Sequence, residues 1–252
     1  MEKSYPRYIT DNEVDLVIEG IKQFTKPFFM MVQFFSDHRP FEPPHQYEHI
    51  YDDVRIPEPG TFYDDYSLRA APAREARMRI AEMPDFHPPA ELTERQRKQW
   101  NYQKLMERFL GTLKAQDDNM GRLLDYLDKS GLAENSIVIF TGDHGFLLGD
   151  HGWFDKRLMY EQALRVPWMI RGTRVVKAGS VSRGWVGERG QCAHGTGSRR
   201  DSRARPYAGA QLGSALPRQL ALGLAHIDVL PLLRIRSTAL GNAPLRYPHR
   251  TL

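Results

Sequence analysis

The chain has 252 residues, 41% hydrophobic and 26% charged, with a formal net charge of +4. That composition suits a soluble globular protein, and no apolar run approaches the ~18 residues of a membrane span. A single cysteine, Cys192, excludes an internal disulfide framework.

Thr10-Asp-Asn-Glu13 matches a capping box, so a helix is expected to start there with Thr10 as N-cap. Val14, Val17, Ile18, Ile21 and Phe24 follow at helical spacing, and Lys26-Pro27 is expected to end the helix. Phe28-Phe-Met-Met-Val-Gln-Phe-Phe35 is a nearly unbroken apolar run, the pattern of a strand buried on both faces. The polar, Pro-rich stretch from Ser36 to about Pro89 reads as long loops.

A helix is expected again from about Thr93, with Leu105, Phe109, Leu113, Met120, Leu123, Leu124 and Leu127 on one stripe and Ser130-Gly131 as the stop. Ser136–Thr141 reads as a second buried strand and Val166–Arg171 as a third. Alternating helices and buried strands imply an α/β sheet. Ligands in such sheets bind at the carboxyl ends of strands, and both Ser36-Asp-His-Arg-Pro40 and Gly142-Asp-His-Gly145 lie at such ends.

Asp143 and His144 are flanked by glycines, which let backbone and metal approach closely. A carboxylate beside an imidazole suits a cation, yet on spacing alone the pair is equally a turn with an Asp cap and a surface His. His38 taken alone is a solvated loop histidine, and Lys156 in Asp150-His-Gly-Trp-Phe-Asp-Lys156 is taken alone a surface lysine, able to steer an anion.

Together these fragments resemble the sulfatase family of the alkaline phosphatase superfamily, over about Tyr8 to Ser182. The strongest part is Ile137–Glu161 followed by Arg165-Val-Pro167, which is similar to the family's strand, metal-binding Asp-His or Asp-Asn, and Gly-x-His-Gly-x-x-x-Lys segment. Lys26–Pro44 resembles the segment with the Pro-His-x-Pro motif, although Asp37 stands where proline is usual. The resemblance implies an α/β fragment of an alkaline-phosphatase-like sandwich, with a mixed, mostly parallel sheet between helices.

It also implies roles. Asp143 and His144 would be metal ligands for a divalent cation, Ca²⁺ first, with Mg²⁺ or Mn²⁺ as alternatives. His38 and Lys156 would be catalytic, contacting the sulfate group, with His38 as acid or base. The reaction implied is cleavage of a small-molecule or carbohydrate sulfate ester, and Gly149–Tyr160 looks closest to the N-acetylglucosamine-6-sulfatase-like subgroup. A phosphodiesterase or phosphonate monoester hydrolase of the same superfamily is the alternative, and a non-functional truncated product is another.

The family's formylglycine nucleophile comes from a Cys/Ser-x-Pro/Ala-x-Arg motif, which does not occur in these 252 residues. The resemblance therefore places the nucleophile, and an Asp-Asp pair of metal ligands, in a missing N-terminal part, and this chain alone is expected to be inactive. Met1-Glu-Lys-Ser-Tyr-Pro6 has no apolar core of a secretory signal. Compartment stays open; full-length relatives are often periplasmic or extracellular.

Charge divides the chain. Residues 183–252 carry eleven Arg, no Lys and three acids, a net of +8, and the rest is net −4. Read one base later, codons permitted by Gly187–Arg200 spell V-N-V-D-N-A-P-T-V-L-D-L-A-G, a family-like string, and Tyr207–Leu212 and Asp228–Ile235 permit two more. Residues 1–182 are thus expected to form a partial catalytic domain and 183–252 a frame-shifted, poorly ordered tail. The basic charge would then be a by-product, and neither nucleic acid nor membrane is expected as a partner.

Overall fold

The computed structural model describes residues 7–172 and 176–181, together with the backbone of 233–235. The expectation of a poorly ordered tail over 183–252 falls, that strand apart, outside the described residues.

Helix α1 spans Ile9–Lys22 and buries Val14, Val17 and Ile21, the expected stripe. Its start corrects the capping-box reading. Tyr8 is the N-cap with no side-chain cap, and Thr10 and Glu13 lie inside the helix, both buried. Their side-chain oxygens have no hydrogen-bond partner among the described residues. Strand β1 (Met30–Val32) follows.

Ser36–Pro89 is not simple loop. It holds two 3-10 turns and the short helix α2 (Ala71–Arg74). It also supplies Phe41, Phe62, Tyr66, Met78, Ile80, Met83 and Phe86 to the larger apolar core, where Tyr102, Leu105, Leu147, Trp153 and Phe154 meet them. The backbone of this segment is held by polar side chains of the next helix. Gln103 bonds both the N–H and the C=O of Ile56, and Asn101 donates to the Ile80 carbonyl at 2.8 Å. These bonds satisfy main-chain groups that no sheet ladder satisfies.

That helix, α3, spans the 36 residues Glu94–Lys129, about 54 Å long. Thr93 and Gln96 form its capping box, and Ser130 ends it before Gly131 at φ +75°. Asn119 donates to Asp11 of α1 at 2.6 Å, and Val17, Ile21 and Leu127 pack together beneath β1. Beyond α3 come β2 (Val138–Thr141), β3 (Leu147–Leu148), β4 (Phe154–Asp155), α4 (Glu161–Leu164), β5 (Trp168–Arg171) and β6 (Leu233–Ile235).

The fold is mixed α/β. β1 pairs in parallel with β6, while β2–β5 and β3–β4 are antiparallel. In the β2–β5 pair Ile139 faces Ile170 and Phe140 faces Met169, so Ile139 and Met169 lie on opposite faces, 48% and 57% exposed. Neither face is fully covered, unlike the doubly buried strands expected, and among the described residues each of these strands has one partner.

Candidate active site

The chain turns sharply just beyond β1, where the His38 N–H donates to the Phe35 carbonyl at 3.1 Å. The His38 ring stacks on Phe35, with centroids 5.7 Å apart, and its Nδ1 lies 2.8 Å from the Arg39 carbonyl. The imidazole is thus exposed but oriented by its own turn.

Asp143 and His144 follow β2 after Gly142. His144 Nε2 lies 3.5 Å from Asp143 Oδ1, and its Nδ1 lies 2.8 Å from the Gly145 carbonyl. A protonated Nδ1 satisfies that carbonyl, and in the neutral ring this leaves the Nε2 lone pair on the Asp143 side. Gly145 serves packing as well as freedom. Its N–H donates to the Ala163 carbonyl at 2.9 Å, and a Cβ there would overlap the Gln162 carbonyl and lie 2.7 Å from that of Arg165.

Asp37 links the two loops. Burial pushes its carboxyl up, although the residue as a whole is exposed, and the negative charge of Asp143 adds to the rise while His38 and His144 oppose it. The loops after β1 and β2 therefore stand close enough for their charges to interact.

Lys156 follows β4. The preceding Asp155 is buried at φ +81°, an unusual conformation for a residue with a Cβ. Its carboxylate accepts the Lys156 N–H at 2.8 Å and the Arg157 Nε–H at 2.9 Å, which holds the backbone turn at Lys156. Arg39, next to His38, lies 4.6 Å over the ring of Phe154. The His38 turn thus meets β4.

The family model described as Sulfatase matches residues 3–190. The chain belongs to the sulfatase family. It is 33% identical to an N-acetylglucosamine-6-O-sulfatase of Bacteroides thetaiotaomicron, over 72% of this chain and 40% of that one. It is 27% identical to the mouse (Mus musculus) iduronate 2-sulfatase, over 67% and 31%. A solved structure in complex with its substrate D-glucosamine-2-N,6-O-disulfate superposes with a TM-score of 0.61 at 32% identity, covering 69% of this chain and 45% of that one. The chain spans less than half the length of these relatives. They bear out the family and the alkaline-phosphatase-like α/β fold expected from sequence.

Sulfatases generally use a divalent metal, and the Asp143–His144 pair fits part of such a site. It offers one carboxylate oxygen and one imidazole lone pair, and a cation there would relieve the repulsion between Asp37 and Asp143. Among the described residues no third His, Cys, Asp or Glu completes the set.

His151 belongs to the Gly-x-His-Gly segment read from sequence, but the partners of its side chain were not singled out there. His151 is buried at φ +56°, with Nδ1 2.8 Å from Asp64 Oδ2 and 3.2 Å from an Arg69 nitrogen. Tyr66 donates its hydroxyl to the His151 carbonyl at 2.6 Å. Burial would push the Asp64 carboxyl up, but the Tyr66 amide, Arg69 and His151 together draw it down to about 2. The partners come from residues some 80 positions away, so no local sequence signal marks them.

Proposed function

We propose that this chain carries part of the active site of a sulfatase that hydrolyses sulfate esters on sugars. The family match over residues 3–190 supports the reading, together with the Arg39–Phe154 contact, which brings the turn after His38 against the strand before Lys156. The similarity to an N-acetylglucosamine-6-O-sulfatase favours a 6-sulfated amino sugar.

In this reading Lys156 and His38 bind the sulfate oxygens. An ammonium offers three donors to an anion, and an imidazole fixed by its turn gives or takes one proton at Nε2 as the ester is cleaved. Asp143 and His144 would hold the divalent cation, Ca²⁺ first and Mg²⁺ or Mn²⁺ next. When bound, that cation neutralises charge on the transferring group. The nucleophile is a formylglycine outside these 252 residues, so this chain by itself binds without turnover. Residues 1–182 form the partial catalytic unit, and 183–252 arise from a shifted reading frame.

Calorimetric titration of the chain with N-acetylglucosamine 6-sulfate tests the binding, beside bis(4-nitrophenyl) phosphate for the phosphodiesterase alternative. Saturable binding of the sulfate ester alone supports the reading; preference for the phosphodiester sinks it. Sequencing the gene tests the rest. An upstream Cys/Ser-x-Pro/Ala-x-Arg codon run in frame with Met1 and a frame break near Ser182 are expected, and an intact frame with neither would overturn the division.

A further inference from the structure

Three polar side chains are buried without partners where α1 meets the turn after β1. Thr10 is 0% exposed, and Glu13 and Ser36 are 6% exposed each. The hydroxyls of Thr10 and Ser36 and both carboxyl oxygens of Glu13 have no hydrogen-bond partner among the described residues. Thr10 and Glu13 stand three positions apart on α1, so they share one face. Glu13 faces the Phe35 amide and feels the charge of Asp37, the two chain neighbours of Ser36.

Phe35 holds the His38 turn at two points. Its carbonyl accepts the His38 N–H at 3.1 Å, and its ring stacks on the imidazole with centroids 5.7 Å apart. Its own N–H is the group that faces Glu13. Glu13 therefore reaches His38 through a single residue.

The charge of Glu13 matters at this place. A protonated carboxyl has one O–H to donate and an oxygen left to face the Phe35 amide. The unpartnered hydroxyl oxygens of Thr10 and Ser36 are suitable acceptors for that O–H. An ionised carboxyl instead brings a buried charge beside the like charge of Asp37. His38 and His144 face Asp37. Arg122, which reaches α1 from α3, pairs with Asp15, and Asn119 donates to Asp11. Burial pushes the Glu13 carboxyl up to about 7 against the pull of the Phe35 amide, and Asp37 adds to the rise.

We propose that Glu13 is a positioning residue for His38: its neutral form holds the Phe35–His38 turn, and its ionisation releases the turn and weakens sulfate-ester recognition. The clause on recognition rests on the sulfatase reading; the clause on the turn does not.

Amide hydrogen exchange of the 252-residue chain and of Glu13→Gln, at about pH 5.5 and about pH 8.5, tests the turn. Calorimetric titration with N-acetylglucosamine 6-sulfate under the same conditions tests recognition. The ratio of wild type to variant at each pH cancels intrinsic exchange and the titration of His38 itself. The two proteins should agree at the lower pH. At the higher pH the wild type alone should lose about tenfold or more in protection over Phe35–His38, and a similar factor in affinity. Where Glu13→Gln fails to fold, the pH profile of the wild-type turn against that of β2 decides in the same way. A loss spread evenly over α1 and α3 would make Glu13 a matter of global stability and overturns the proposal. So does a ratio that is the same at both pH values, or a released turn with unchanged affinity. Absence of sulfate-ester binding at both pH values sinks the sulfatase reading, and the exchange ratios still decide whether Glu13 holds the turn.

Discussion

Arg39 lies 4.6 Å over the ring of Phe154, and that contact joins the turn bearing His38 to the strand that precedes Lys156. A cation over an aromatic face is worth about 0.5–2 kcal/mol, depending on exposure. Here it also sets the spacing of two loops that share a ligand in our account. Phe154→Leu keeps most of the buried apolar area and removes the ring. Stability should fall by about 1 kcal/mol in urea denaturation, while sulfate-ester affinity falls several-fold. Unchanged affinity would mean that the contact does not position the turn.

Glu13 gives a pH-dependent prediction. Burial pushes its carboxyl up to about 7, the charge of Asp37 adds to this, and the Phe35 amide opposes it without making a full hydrogen bond. The unfolded chain releases this proton near pH 4.5 and the folded chain only near 7. Stability therefore falls as pH rises through that window, by about 3 kcal/mol at most. Glu13→Gln should gain on the wild type as pH rises from 4 to 8 in thermal melts. An offset independent of pH would show that the carboxyl ionises normally.

Asp64 behaves in the opposite sense. Its folded value near 2 lies below the ordinary 3.8, so its contribution is present above pH 4 and lost as pH falls toward 2. Asp64→Asn leaves Arg69 and His151 without their carboxylate. It should cost about 3 kcal/mol at pH 7 and much less near pH 2, as read from urea midpoints. Equal cost at both pH values would contradict the charge-based account.

Gly145 predicts a steric effect. Gly145→Ala places a methyl group against the Gln162 and Arg165 carbonyls, and the Asp143-His144 turn must move away from α4. A loss of more than about 1 kcal/mol is expected from overpacking alone. No loss would show that α4 yields.

The elements that sequence foretold are those fixed by local rules. Thr93 and Gln96 mark the start of α3, and Ser130-Gly131 its end, because caps and left-handed residues act within one turn. The turns that carry His38 and Asp143-His144 were legible because each follows a strand expected from the apolar runs. Thr10 and Glu13 misled, since the same four-residue pattern also fits one turn inside a helix. Burial against the β1 loop decided the register. Ser36–Pro89 misled too: its apolar residues have no regular period, and only tertiary packing on α3 makes Phe41, Phe62 and Ile80 a core.

The central claim is that His38 and Lys156 recognise a sulfate ester. The most direct measurement is calorimetric titration of N-acetylglucosamine 6-sulfate into the wild type, Lys156→Ala and His38→Ala. Lys156 is not deeply buried and His38 is exposed, so both variants should fold, which melting curves can check. The account predicts saturable binding by the wild type and at least about a tenfold loss in each variant. Wild-type binding that survives intact in Lys156→Ala would contradict it.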